Sequence, residues 1–183
     1  MALKDTPLGS PERFNVIVEI PRGSVDKIEY DENKDKMFVD FVFKKGLRFI
    51  NNYGFIPQTA TGDGDTLDVF ILTEKILLSG SIILCRPIAV IKQLDRGVQD
   101  DKIIAVPADE LERNLTEEEK QKFRDFYAEV ARQKQKTVEI TGFGDKNEAV
   151  EAIRKAIEEI QKAKQSRNTI ETDRNKIETY GNK

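Results

Sequence analysis

Three carboxylates fall within the six residues Asp63-Gly64-Asp65-Thr66-Leu67-Asp68, at a turn signal, and Val69-Phe70-Ile71-Leu72 follows as a strand. Such a turn can aim several oxygens at one point, and clustered oxygen ligands suit a hard divalent cation such as Mg²⁺ or Mn²⁺. Gly64 removes side-chain bulk where the backbone must bend. The same spacing also fits an ordinary Asp-Gly hairpin turn decorated with exposed acids. An EF-hand is a poor fit, because Leu67 and Asp68 fall where that loop needs an oxygen ligand and a glycine.

A second acidic group, Asp95 with Asp100-Asp101-Lys102, lies in a turn between two predicted strands and can face the same barrel mouth as Asp63, Asp65 and Asp68. Glu19 and Glu29 sit on early strands that can line the same wall, while Lys27, Lys102 and Tyr53 add cationic and hydroxyl donors. Carboxylates beside lysines make chemical sense if metal ions neutralise the acids and a polyanionic substrate bridges metals and lysines. That is the logic of phosphoryl transfer to water, in which a metal-activated water attacks and cations meet the developing charge.

These groups need strands to hold them. Phe14, Val16, Val18 and Ile20 alternate with Asn15, Ile17 and Glu19 as a period-two strand, closed by Pro21-Arg22-Gly23-Ser24. A short strand around Lys27-Ile28-Glu29-Tyr30 places Lys27 and Glu29 on one side. Met37 to Phe43 and the long apolar run Gly80 to Leu94 read as strands, Pro87 marking a bulge or an edge. Lys102 to Val106 pairs naturally with that run.

After Pro107 the period becomes helical. Thr116 with Glu119 forms a capping box that starts a helix near Glu117, with Phe123, Phe126, Tyr127 and Val130 as its apolar stripe. Thr137 to Thr141 reads as one more strand, broken by Gly142 and Gly144. Asp145 with Glu148 caps a second helix lined by Val150, Ile153, Ile157 and Ile160. Residues 1–13 read as an irregular arm and 163–183 as a polar C-terminal tail, either frayed helix or disordered, outside a single domain over 1–162. Many short strands followed by two helices predict an α+β, mainly β chain: a small barrel with two helices packed outside it.

Composition removes several alternatives. The chain has 183 residues and no histidine, which excludes His acid–base catalysis, the Ser-His-Asp triad and His metal sites. Cys85 is alone in an apolar strand pattern and reads as core; no disulfide is possible within one chain. A net charge of −3 disfavours general nucleic-acid or anionic-membrane binding. No apolar run of membrane-spanning length and no signal segment is evident, so the expectation is a soluble, cytoplasmic protein.

Taken in order, Val18-Glu19-Ile20-Pro21-Arg22-Gly23-Ser24, Lys27-Ile28-Glu29-Tyr30-Asp31 and Asn52-Tyr53-Gly54-Phe55-Ile56-Pro57-Gln58-Thr59 precede the Asp63–Val69 signature. Cys85-Arg86-Pro87-Ile88-Ala89-Val90 and Asp100-Asp101-Lys102-Ile103-Ile104-Ala105-Val106-Pro107 follow it. This series resembles the soluble family I inorganic pyrophosphatases. The resemblance implies that Asp63, Asp68 and Asp100 hold the activating metals, with Asp95 and Glu19 around the substrate-borne ones. It implies Asp65 as the acceptor of the water proton, and Lys27, Tyr53 and Lys102 as holders of the electrophilic phosphate. Tyr127 resembles a tyrosine on the leaving-phosphate side, and Glu29 a supporting member of the metal shell. It further implies an OB-like five-stranded barrel, several Mg²⁺ ions per active site (Mn²⁺ being possible), pyrophosphate as substrate, and a homo-oligomer.

The chain departs from the family pattern mainly on one side. Phe41 stands where the family has a phosphate-clamping Arg, Ala128 where a Lys follows the helix tyrosine, and Arg96 where a Glu is usual. Thr66 and Ile50 are further departures, and the segment after Tyr127 reads about two residues longer. Three explanations compete. Nearby cations (Lys44, Lys45, Arg48, Arg132, Lys134 or Lys136) replace the missing ones; Arg96 supplies the charge; or the leaving group is not free phosphate. The rivals to pyrophosphate hydrolysis are a paralogue cleaving another phosphoanhydride and a non-catalytic metal- and phosphate-binding module.

Overall fold

In the computed structural model, residues 2–62 and 64–180 are described, 167–180 as helical backbone only. The strands are β1 (Gly9–Ser10), β2 (Arg13–Ile20), β3 (Asp26–Asp31), β4 (Lys36–Val42), β5 (Asn52–Ile56), β6 (Leu67–Ile71), β7 (Ile82–Asp95), β8 (Val98–Gln99), β9 (Lys102–Pro107) and β10 (Val138–Gly144). The helices are α1 (Glu117–Lys134) and α2 (Lys146–Tyr180), so the residues from 163 to Tyr180 continue a helix. No helix among the described residues is long and apolar enough to cross a membrane.

Five strands close a ring in the order β2-β5-β6-β9-β7 and back to β2, the OB-like barrel expected. All neighbours are antiparallel except β6 and β9, which run parallel. The length of β7 makes closure possible. Its first residues pair with β2, its middle with β9, and its end with β10 and β8. Pro87 cannot donate to a ladder, and the register slips between Pro87 and Ala89, the bulge anticipated from sequence.

Alternation along the ring strands sorts side chains onto two faces. Val69, Ile71, Ile103 and Ala105 join Phe14, Val16 and Val18 in one buried cluster with Ala149, Ile153 and Ala156 of α2. Phe70, Leu72, Ile104 and Val106 join the other, beneath Phe123, Phe126, Tyr127 and Val130 of α1. With both faces covered, β6 and β9 read as continuous apolar runs rather than alternating ones. Cys85 is fully buried in the first cluster, as expected of a core residue.

Both capping boxes form. Thr116 and Glu119 exchange bonds at the start of α1, and Asp145 and Glu148 do so at the start of α2. Two expectations need correction. The buried stripe of α2 is Ala149, Ile153 and Ala156, with Val150, Ile157 and Ile160 only partly covered at its flank. Small residues let the helix approach the barrel closely, a choice that hydrophobicity ranking overlooks. Gly142 and Gly144 also do not break β10, which runs through the first and ends at the second. They pair with Lys92 and Val90, and the chain absorbs the mismatch as a register shift between Ile140 and Gly142.

Gly54 lies where β5 crosses closest to β2. A Cβ there would sit 2.0 Å from the carbonyl oxygen of Ile17, so no side chain fits without moving backbone. Gly54→Ala should lower unfolding free energy by about 1–3 kcal/mol or more, read as a reduced urea midpoint.

Candidate active site

The parallel pairing of β6 with β9 sets Asp68 directly beside Lys102. Both side chains therefore emerge on the α1 side of the sheet, and the Lys102 ammonium lies 2.5 Å from a carboxylate oxygen of Asp68 and of Asp100. Tyr53, on the neighbouring β5, donates its hydroxyl to Oδ2 of Asp68 at 2.5 Å. Lys102 is only 5% exposed, so this ammonium is buried and paired twice. Burial opposes its charge, but Asp68 and Asp100 outweigh burial and raise its pKa. Tyr53 and Tyr127 are pushed well above the usual phenol range, burial being the main cause.

Glu19, at the end of β2, is nearly buried and accepts a bond from the Tyr30 N–H at 2.9 Å. Burial, with the negative charge of Asp68 nearby, pushes its carboxyl up to about 8. A divalent cation in this position would reverse that preference. On the opposite hairpin Lys27 pairs with Glu29, as alternation along β3 predicts, and reaches Asp40 at 3.4 Å. Asp95 pairs with Lys136 through one oxygen, while its other, Oδ1, is buried without a hydrogen-bond partner.

Asp65 lies in a tight loop where Gly64 takes φ of 91°, a conformation that favours glycine. The Asp65 carbonyl accepts from the Thr61 N–H at 2.7 Å and the Thr61 hydroxyl at 3.0 Å, which closes the loop and carries the Asp65 side chain to the site. Asp63 lies outside the described residues.

Apart from Asp63, every residue expected at the site lines one cleft of about 940 Å3: Glu19, Lys27, Glu29, Tyr53, Asp65, Asp68, Asp95, Asp100, Lys102 and Tyr127. Asp101 does not join them. It turns away and staples the hairpin, accepting from the Gln93 N–H at 3.1 Å and the Gln99 amide at 2.8 Å. Of the candidate replacement cations, Arg96, Lys134 and Lys136 line the cleft. Arg48 instead donates to the carbonyl of Gly23, and Arg132 pairs with Glu129.

Two contributors escaped the sequence reading. Gln93 lines the cleft and its amide approaches Asp100 at 3.3 Å. Asp40 holds both Lys27 and Lys134. Asp40 is the extra residue at the register shift between β3 and β4, where Lys27 pairs with Phe41 and Ile28 with Val39, so strand pairing alone does not point to it; Gln93 carries no sequence signal of its own.

Beneath the cleft lies a chain of aromatic contacts. Phe41 meets Phe43, Phe43 meets Phe49, and Phe49 meets both Tyr53 and Phe126, with ring centres 5.3–5.7 Å apart. Phe70 then packs edge-on against Tyr53 and Tyr127. These contacts fix the two phenols by packing, so that each presents only its hydroxyl end to the polar side.

The donor set suits a hard divalent cation, since it consists of carboxylate oxygens without imidazole or thiolate. Eight acids and five cations line the cleft among the described residues, an excess of negative charge, and Oδ1 of Asp95 is a buried acceptor without a hydrogen-bond partner. No three acids among the described residues form a preformed metal-binding cluster.

Comparison with known proteins gives a consistent result. The profile of the inorganic pyrophosphatase family matches residues 16–161. The inorganic pyrophosphatase of Saccharolobus solfataricus is 39% identical over 159 residues, covering 80% of this chain and 91% of that protein. A soluble inorganic pyrophosphatase of Oryza sativa is 35% identical over 153 residues, covering 80% of this chain and 72% of that one. The crystal structure of the inorganic pyrophosphatase from Thermus thermophilus superposes with a TM-score of 0.81 at 31% identity, covering 88% of this chain and 99% of that chain.

Removing Lys102 leaves two carboxylates facing each other without a counter-ion. In metal-free buffer Lys102→Met should cost about 3–5 kcal/mol, seen as a fall of roughly 10 °C in thermal midpoint. An unchanged midpoint would show that the pair does not hold the cleft floor.

Proposed function

The chain belongs to the inorganic pyrophosphatase family, and from that premise we propose that it hydrolyses inorganic pyrophosphate to two phosphates in the cleft between α1 and the barrel. One observation carries this reading. Carboxylates and ammonium groups stand in the same cleft, Asp68 and Asp100 on its floor, Lys27 and Lys134 on its wall. That division suits a doubly phosphorylated anion that arrives with divalent cations.

The family depends on a divalent metal ion, and we take Mg²⁺, with several ions per site, as the cofactor here. Asp63, Asp68, Asp100, Asp95 and Glu19 are its proposed ligands, with Glu29 in support. When bound, the metal supplies Lewis acidity and lowers the pKa of water. In this reading Asp65 accepts the proton of the attacking water. Lys27, Tyr53 and Lys102 hold the phosphate under attack, and Tyr127 turns its hydroxyl to the departing one. The bond to the bridging oxygen breaks as the water oxygen adds in line, so no protein nucleophile is needed. Retention of Asp65 and Lys102 favours turnover over mere binding.

The assay is phosphate release from pyrophosphate with Mg²⁺, beside tripolyphosphate and a nucleoside triphosphate. Pyrophosphate should be the best substrate, and Asp65→Asn should lower its turnover by about 10²–10⁴-fold. Turnover of another phosphoanhydride with none of pyrophosphate would overturn the substrate assignment.

A cytoplasmic homo-oligomer completes the proposal. Ile76, Leu78, Ile82 and Leu84 all expose apolar surface around the start of β7, which supports a protein-covered face. Sedimentation should give a species larger than one chain, and Leu78→Glu with Leu84→Glu should shift it towards the monomer.

A further inference from the structure

The cleft wall opposite Asp68 carries two ammonium groups that share a single oxygen. Oδ2 of Asp40 lies 3.4 Å from the Nζ of Lys27 and 3.5 Å from the Nζ of Lys134. Lys27 has Glu29 as a further partner, while Lys134 has only this shared carboxylate among the ion pairs of the described residues. Burial lowers the pKa of Lys134, and the neighbouring charge of Lys27 lowers it further, with Asp40 opposing both. Two cations held this close around one partly exposed carboxylate leave a spot that a multi-oxygen anion can satisfy.

Lys134 is placed there deliberately by the fold. It is the last residue of α1, and Gln135 ends the helix in the left-handed conformation at φ of 49°. Gln133 anchors that terminus to the segment after β4. Its amide accepts from the Lys44 N–H at 2.8 Å and donates to the Lys44 carbonyl at 2.9 Å. The Phe41 ring then lies under the ammonium, 5.3 Å from Nζ to ring centre, a cation–π contact that keeps the side chain along the wall. The other cations of the cleft are less suited. Lys136 is engaged with Asp95, Lys102 with Asp68 and Asp100, and Arg96 is exposed.

We propose that Lys134 forms the seat of the departing phosphate, beside the Lys27 that holds the phosphate under attack, and that Phe41 is the platform that positions Lys134. The inference rests on the reading of this cleft as a pyrophosphate hydrolase. As water adds to one phosphorus and its proton passes to Asp65, the electron pair of the broken P–O bond leaves with the other phosphate. The Lys134 ammonium meets that charge. Ala128 and Phe41 then mark a relocated cation along α1, not a lost subsite.

Steady-state phosphate release from pyrophosphate with Mg²⁺ tests this in the wild type, Lys134→Gln, Lys134→Arg, Lys44→Ala and the Lys134→Gln/Phe41→Arg double variant. Circular dichroism and thermal midpoints confirm that each is folded. Lys134→Gln should lower kcat/KM by about 10- to 100-fold, the effect of one charge-assisted contact to phosphate. Lys134→Arg should keep most activity, Phe41→Arg should recover part of the loss in the double variant, and Lys44→Ala should match the wild type. A folded Lys134→Gln protein with unchanged kcat/KM overturns the inference while leaving the hydrolase reading intact. If the wild type does not cleave pyrophosphate, the hydrolase reading fails. The seat is then judged by calorimetric binding of inorganic phosphate: weaker binding in Lys134→Gln supports it, and equal binding overturns it.

Discussion

The cleft depends on one buried ammonium shared by two carboxylates. Lys102 can take this position because β6 and β9 are parallel neighbours that put Asp68 and Lys102 side by side. An unpaired carboxylate or ammonium this deeply placed would be far costlier than the pair. The ion pair therefore ties barrel closure to site assembly. It also explains how so many acids stand together: Lys102 offsets one of the two floor charges, Lys136 answers Asp95, and Glu19 is driven towards its neutral form.

Around that floor the aromatic contacts do a different job. They join the cleft's two phenols to α1 and to the strand that carries Phe41, so the hydroxyl of Tyr53 is aimed by packing before any ligand arrives. The same packing carries the cation wall, because Phe41 supports Lys134 and Phe126 draws α1 onto the sheet. Preorganised donors of this kind need little rearrangement when charge develops, which is the main economy available to phosphoryl transfer.

Much of this was legible in the sequence. Period-two runs located most strands, the change of period after Pro107 located the helices, and Pro87 announced its bulge. The acids of the site were visible as motifs because their spacing is local. What escaped depends on register and distance. Asp100 and Asp101 are adjacent and chemically alike, and only the pairing of β7 with β9 decides that Asp100 faces the cleft while Asp101 holds the hairpin. Nothing local links Asp40 to Lys134 across the gap between β4 and α1. The six cations around Phe41 and Ala128 could not be ranked until the end of α1 was known, because one residue of extra helix rotates the next side chain by about 100°. The alanine stripe of α2 escaped because small residues carry little hydrophobic signal while permitting the closest packing.

The central claim is that the floor carboxylates, held by Lys102 in the free protein, are the anchorage of the metal. Calorimetric titration of Mg²⁺ into the substrate-free protein tests it most directly, comparing the wild type with the Asp68→Asn/Asp100→Asn variant. The account predicts saturable binding by the wild type that disappears in the folded double variant. Equal Mg²⁺ binding by both proteins would contradict it and place the metal elsewhere in the chain.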